Sequence, residues 1–224
     1  MQNECPSAVG GRCKAVERAM TGFVRDKLTG PKASRLLTYL AEGRYWNEAE
    51  LQFDLYHYLS ENAEKFALGT PCNLRLEARL KKSWTGGKRQ GKADISLIDS
   101  ALYDKRLSET DGSLWGKPVQ SIALIEVKRA MPGYTQQFRR ESVESDAKKL
   151  GNCVKSGGTG AGYILYVEYM LNGKRAVWRD SDLDQIAKHH GVGILRWLGV
   201  HTGDIRPYPQ VRWYPGSIRN EIST

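Results

Sequence analysis

Two short apolar segments, 92–98 and 121–130, carry ionisable residues where a buried strand normally has none. They read KADISLI and SIALIEVKRA, and their β-branched residues predict two β-strands. Alternate side chains of a strand point to the same face, so Glu126 and Lys128 emerge side by side, about 7 Å apart along the backbone. The residues between them face the other way and can pack in a core.

Ionisable groups at these positions need partners, because a buried and unpaired charge costs several kcal/mol. A divalent cation could supply the compensation, bound by Asp94, Glu126 and the carbonyl of Val127. Mg²⁺ prefers such hard oxygen ligands and keeps several waters. The alternative is a structural pair of Glu126 and Lys128 at a strand end, with Asp94 as a turn residue. Both interpretations fit this segment alone.

A helix predicted over 47–65 supplies a further acidic candidate residue. Leu51 and Leu55 recur at helical spacing and mark the buried face of the helix. Glu48 precedes them by three and seven residues and shares that face, whereas Glu50 falls on the polar side. Glu48 could equally serve only to favour the N-terminus of the helix through the helix dipole.

The remaining periodicities predict an α/β fold with a central mixed sheet flanked by helices. Further strands are predicted over 73–82, 163–169 and 191–198, and further helices over 14–28, 32–42, 141–154 and 180–190. The segments 1–13 and 99–120 are predicted to be irregular. We expect a helical extension over 1–44, a core over 45–204 and an irregular, aromatic tail over 205–224. The extension could cap the core or form a lobe that contacts nucleic acid.

An acidic residue that opens one strand, followed by Glu-x-Lys at the end of the next, resembles the core of the PD-(D/E)xK nuclease superfamily. Asp94 and the Glu-Val-Lys of 126–128 carry this resemblance, and the EAEL of 48–51 is similar to the family's first core helix. Ala93 replaces the family's proline, which does no chemistry. The predicted order over 47–198 also matches the family: an acidic helix, a three-strand meander, a crossover helix and a further strand.

The resemblance implies a restriction-endonuclease-like core and metal-dependent hydrolysis of phosphodiester bonds in DNA, with an endonuclease favoured. Asp94, Glu126 and the carbonyl of Val127 would bind Mg²⁺, for which Mn²⁺ would substitute. Glu48 would orient the attacking water or hold a second ion. Lys128 would position the nucleophile and stabilise charge on the phosphate, and beside two carboxylates it should keep its proton.

The charge of the chain favours a polyanionic partner, most simply nucleic acid. Its 34 Lys and Arg against 25 Asp and Glu give a net charge of +9 and a pI near 9.4. The predicted phosphate contacts are Lys88, Arg89, Lys92, Arg129 and Lys149. The glycine-rich segment 84–92 could equally be only a solvated hairpin tip. The resemblance adds Asp146 and Lys149 on the helix over 141–154 as further site candidates.

Other classes of protein are disfavoured by what the sequence lacks. It has no apolar stretch of transmembrane length, and its N-terminus lacks the pattern of a signal peptide. Its four cysteines lack zinc-ligand spacing, so a cytoplasmic protein without zinc or disulfides is expected. Two alternatives remain open: an inactive nucleic-acid-binding module of the same fold and a dimeric DNA-junction resolvase. A homodimer or a larger defence, restriction or transposition complex is compatible with either.

Overall fold

The computed structural model describes residues 6–29, 48–68, 72–86, 91–100, 104, 118–130, 136–170, 179–200 and 210–216. The helices are α1 (Pro6–Phe23), α2 (Glu48–Glu61), α3 (Lys82–Thr85), α4 (Gln136–Lys155) and α5 (Asp180–His190), and a π-helical segment, Val24–Thr29, follows α1. The strands are β1 (Cys72–Arg79), β2 (Lys92–Asp99), β3 (Ser121–Ala130), β4 (Thr159–Met170), β5 (Gly193–Val200) and β6 (Gln210–Tyr214). The helix predicted over 32–42, most of the segment 99–120, Lys88 and Arg89 lie outside the described residues.

The six strands form one mixed sheet in the order β1-β2-β3-β4-β5-β6. The first three strands are an antiparallel meander, β3, β4 and β5 are parallel, and β6 returns antiparallel to β5. Parallel neighbours need a crossover connection, and α4 and α5 lie in these two connections. The predicted α/β class, with a central mixed sheet flanked by helices, is therefore confirmed.

Two apolar cores cover the two faces of the sheet. On one face, α1 and α2 pack against the sheet through Val16, Met20, Phe23, Leu51, Leu55, Ile95, Ile125, Val127, Leu165 and Trp197. On the other face, α4 and α5 pack through Leu124, Val143, Ala147, Leu150, Ile164, Leu183, Ala187 and Ile194. Burial of each large apolar side chain contributes about 1.5–3 kcal/mol, so these cores hold the three layers together.

The N-terminal helix begins earlier than the sequence predicts. Residues 1–13 are predicted to be irregular, yet α1 starts at Pro6. Proline is favoured in the first helical turn, where its missing N–H would have no helical partner. The glycines at positions 10 and 11 cost up to about 1 kcal/mol each within a helix. The burial of Met20 and Phe23 against the sheet offsets that cost, and α1 caps the core.

The C-terminal tail is also more regular than predicted, because 210–214 form the edge strand β6 rather than an irregular segment. Trp213 packs against Tyr163 and its Nε1–H donates to Thr21 Oγ1 at 2.7 Å. Tyr214 is buried. Prolines bracket these five residues in the sequence and cannot donate a ladder hydrogen bond, which hides the strand from pattern-based prediction.

The other elements follow the prediction closely, since β3 and α5 have the predicted bounds and most others shift by a few residues. The larger shift is at α4, which begins at Gln136 instead of 141. Cys13 and Cys153 are buried free thiols. Within the described residues, none of the helices is long and apolar enough to cross a membrane.

Candidate functional site

The site is built where β2 and β3 separate. Their ladder runs from Leu97–Ala123 to Ile95–Ile125, and the next residues in this register are Asp94 and Glu126. Instead of continuing the ladder, the backbone N–H of Val127 donates to Asp94 Oδ2 at 2.7 Å. A side-chain oxygen thus replaces a main-chain carbonyl and opens a gap near the carboxyl end of β3.

The carbonyl of Val127 belongs to the same gap. In a strand, the N–H and C=O of one residue point to the same side. The N–H of Val127 points to Asp94 on β2, so its carbonyl oxygen also points toward β2 rather than toward β4. The carboxylate of Asp94 and this carbonyl therefore both lie at the gap between the separated strands β2 and β3.

Glu126 is the most buried acid of the site, with 3% of its side chain exposed. Its Oε1 lies 2.7 Å from Lys149 Nζ, a close ion pair rather than a well-aligned hydrogen bond. Lys149 Nζ also lies 2.8 Å from Asp146 Oδ1 on α4. Burial raises the pKa of Glu126, and the nearby Asp94 and Asp146 add to this rise, although Lys149 opposes it. Lys149, which is a predicted phosphate contact and a further site candidate by the resemblance, therefore lies in the site.

Lys128 joins the two helical layers across the end of β3. Its Nζ lies 3.1 Å from Glu48 Oε1 on α2 and 3.1 Å from Asp146 Oδ2 on α4. Glu126 Oε2 is 3.9 Å away. Burial by itself would lower the pKa of Lys128, but Asp146, Glu48 and Glu126 raise it overall, so the ammonium stays protonated.

Gln52 is a site neighbour that the sequence prediction missed. Its buried amide donates from Nε2 to the backbone oxygen of Asp94 at 2.9 Å and lies 3.4 Å from Glu77 Oε1. Burial raises the pKa of Asp94, against the effects of the Val127 N–H and of Lys128. Gln52 follows Glu48 by four residues on the apolar face of α2, and this polar interruption was the available signal.

Glu77 stands opposite Asp94 on β1 and has an unusual backbone. Its φ is 50°, in the left-handed region that non-glycine residues seldom adopt. Its Oε2 lies 3.2 Å from Lys92 Nζ at the surface. Glu77 thus forms an ion pair at the surface and also contacts Gln52 beside the site.

The predicted site residues come together in one place. We call the following six residues the site cluster: Glu48, Asp94, Glu126, Lys128, Asp146 and Lys149. Glu48 is the acid of α2 whose carboxylate contacts Lys128, as helical periodicity predicts, although Glu48 and Glu50 are both exposed. Lys92 is also exposed and Arg129 is half-buried.

The site cluster contains more negative than positive charge. Its four carboxylates and two ammoniums carry a net charge of −2 when all are ionised. Among the residues that the structure describes, no group of three or more His, Cys, Asp or Glu side chains is placed to hold a metal ion. Mg²⁺ commonly takes one or two carboxylates and completes its shell with waters and phosphate oxygens. The donor set of Asp94, Glu126 and the Val127 carbonyl therefore fits Mg²⁺ or Mn²⁺ chemically.

Comparisons of this chain with protein-family models, with curated proteins and with solved structures each found no match.

Proposed function

We propose that this chain is a Mg²⁺-dependent nuclease that hydrolyses phosphodiester bonds in DNA, with a restriction-endonuclease-like core of the PD-(D/E)xK type. The observation that carries the proposal is the site cluster at the gap between β2 and β3. It includes the buried Glu126 and has a net charge of −2 when all its groups are ionised. In a structural ion-pair network the positive and negative charges balance, whereas a cation site has an excess of negative charge that the bound cation neutralises. The order of helix, meander, crossover helix and strand supports the same assignment.

Asp94, Glu126 and the carbonyl of Val127 would hold the cation. When bound, Mg²⁺ acidifies a water and neutralises charge on the phosphate. Burial raises the pKa values of Asp94 and Glu126 by more than the nearby ammoniums lower them. Lys149 Nζ contacts both Glu126 Oε1 and Asp146 Oδ1, so Asp146 would keep Lys149 paired if Glu126 held a cation.

Lys128 would act on the substrate as a fixed positive charge. Its pKa is raised by three surrounding carboxylates, so its ammonium does not serve as a base at neutral pH. A preorganised cation next to a reacting phosphate stabilises the charge that develops there. Glu48 is the more exposed carboxylate beside Lys128, with 45% of its side chain accessible, and it would orient the attacking water.

Incubation of the full chain with supercoiled plasmid, single-stranded DNA and RNA, in Mg²⁺, Mn²⁺ or EDTA, tests the proposal. We expect cleavage of DNA with either metal and none in EDTA. Glu126→Gln should remove the activity, and Asp184→Asn on the exposed side of α5 is the matched control. Cleavage that persists in EDTA or in Glu126→Gln would contradict the proposal. DNA binding without cleavage under every metal condition would instead indicate a binding module.

A further inference from the structure

Most of the net positive charge of the chain lies in one short segment. Residues 75–92 contain seven Lys or Arg and one acid, Glu77, a net charge of +6 out of +9 for the whole chain. The other 206 residues together contribute only +3. This segment comprises the end of β1, the short helix α3 and the start of β2, and it leads directly to Asp94.

Four cations of this segment are exposed: Arg79, Lys81, Lys82 and Lys92. We call these four residues the basic arm. Arg79, Lys81 and Lys82 form no ion pair with any acid in the described part of the chain. Lys92 pairs with Glu77, but more than half of each side chain is accessible. A surface pair of this kind contributes little to stability, so a phosphate can replace the carboxylate.

The basic arm rests on an anchored part of the fold. Leu80 is buried between the arm cations, and its N–H donates to the oxygen of Gly91 at 2.9 Å. Asn152 on α4 donates from Nδ2 to the oxygen of Thr85 at 3.0 Å. Lys81 Nζ lies 4.9 Å from the centre of the Trp84 ring. Cations on a fixed platform lose less conformational freedom on binding than cations on a mobile chain.

The basic arm lies next to the site cluster along the same two strands. Arg79 pairs with Lys92 in the β1–β2 register, and Lys92 precedes Asp94 by two residues. Two residues of a strand span about 7 Å, which matches about two nucleotides at 3.4 Å of rise per nucleotide. A phosphate at the basic arm is therefore close to a phosphate at the site cluster on one nucleic-acid strand.

We propose that the basic arm binds the phosphate backbone of duplex DNA beside the bond that the site cluster cleaves, without reading the base sequence. This inference deepens the proposed function and takes the position of the cleaved bond from it. The four side chains present positive charge, and phosphate contacts of Lys and Arg position a duplex without carrying sequence information.

The test is a fluorescence anisotropy titration of a short labelled DNA duplex with the full chain, in EDTA and at several salt concentrations. The arm variant combines Arg79→Gln, Lys81→Gln and Lys82→Gln. The control variant combines Lys14→Gln, Arg18→Gln and Lys65→Gln, which remove the same charge from exposed positions elsewhere. Binding weakens as salt rises, and each lost phosphate contact makes the negative slope of log K against log salt shallower by about 0.9.

We expect the arm variant to make that slope shallower by about 2.7 and to weaken binding at least about tenfold at moderate salt. The control variant should keep the wild-type slope and affinity within about twofold. An arm variant with wild-type slope, or a control variant that loses as much, would overturn the proposal. Competition by poly-glutamate as strong as competition by unlabelled DNA would also overturn it, because the arm would then accept any polyanion.

Binding in EDTA is measured without cleavage, so the two proposals fail separately. If the arm variant binds weakly and the wild type never cleaves DNA, the phosphate contact stands and the nuclease proposal fails. If the wild type cleaves DNA and the arm variant binds as tightly as the wild type, the nuclease proposal stands and the basic arm is not the binding surface.

Discussion

Two clusters of charged residues in this protein differ in their balance of charge. The second cluster, which we call the lock cluster, consists of Glu168, Asp180, Arg196, Arg212 and Tyr214. Arg196 Nη2 lies 2.7 Å from Glu168 Oε2, and its Nη1 lies 3.0 Å from Asp180 Oδ1. Arg212 Nη1 is 2.6 Å from Asp180 Oδ2, and the Tyr214 hydroxyl donates to Oδ1 of the same acid.

The lock cluster balances its charges and the site cluster does not. Two guanidiniums meet two carboxylates in the lock cluster, and the pKa of Asp180 is lowered by the Tyr214 hydroxyl and then by Arg196 and Arg212. In the site cluster, the pKa values of Asp94 and Glu126 are raised. Burial of charge alone therefore does not distinguish the two clusters. They differ in that the site cluster has an uncompensated negative charge, and the proposal of a cation site rests on this difference.

The largest effect on stability is expected in the lock cluster. Arg196→Ala removes a side chain that is 6% exposed and leaves the buried Glu168 without this guanidinium. Loss of one partner of a buried pair costs about 3–5 kcal/mol. Urea unfolding should show this loss, while cleavage per folded molecule stays near the wild-type rate. A loss of cleavage that exceeds the loss of folded protein would mean that the lock cluster also takes part in the reaction.

Asp94→Asn should do the opposite of Arg196→Ala: it should lower the rate of cleavage and leave stability unchanged or higher. Removing a ligand should lower the rate of DNA cleavage about 10²-fold or more. The variant relieves repulsion with Glu126, so its melting temperature in EDTA should equal or exceed that of the wild type. Plasmid cleavage and thermal unfolding measured on the same preparation check both statements. A well-folded variant with full activity would remove Asp94 from the site.

A smaller effect separates the two acids of α2. Glu48→Gln should lower cleavage about tenfold, because its carboxylate lies 3.1 Å from Lys128 Nζ. Glu50→Gln should behave nearly as the wild type, since exposed substitutions away from special features usually change little. Initial rates with plasmid DNA are the measurement. Equal losses in both variants would indicate an effect at the start of the helix rather than a contact in the site.

A further effect is a pH dependence of stability with opposite sign in the two clusters. The pKa of Glu126 is raised from its ordinary 4.5 to about 8, so its contribution to stability is present below pH 4.5 and is lost as the pH rises to about 8. Asp180, with its pKa below the ordinary 3.8, contributes above that pH and loses its contribution in more acidic solution. Unfolding in EDTA should therefore show stability that falls from pH 4.5 to about 8 in the wild type and falls less in Glu126→Gln. An equal decline in both proteins would contradict the assignment of this trend to Glu126.

The sequence predicted those parts of the fold and site that depend on local pattern. The β-branched runs locate β2 and β3, and the spacing of Leu51 and Leu55 selects Glu48 over Glu50 as the acid that faces inward. These features need only the period of a strand or a helix. Whether the site cluster cleaves DNA stays a prediction.

Other features depend on packing between distant segments and could not be predicted in the same way. Lys149 turns toward Glu126. The resemblance names Lys149 as a site candidate, but a helical pattern alone cannot, because its partner lies on another element. Gln52 reaches the backbone of Asp94 across 42 residues of sequence. The strand β6 forms because β5 offers an edge, and a segment of five residues carries too weak a local signal.

The central claim is that the site cluster is a cation site and the lock cluster is not. Thermal unfolding of the full chain near pH 8, without DNA and with increasing Mg²⁺, tests it most directly, because a ligand that binds only the folded state stabilises that state. We predict that Mg²⁺ raises the melting temperature of the wild type and of Asp180→Asn by a few degrees and leaves Glu126→Gln unchanged. An equal rise in Glu126→Gln, or no rise in the wild type, would contradict the claim.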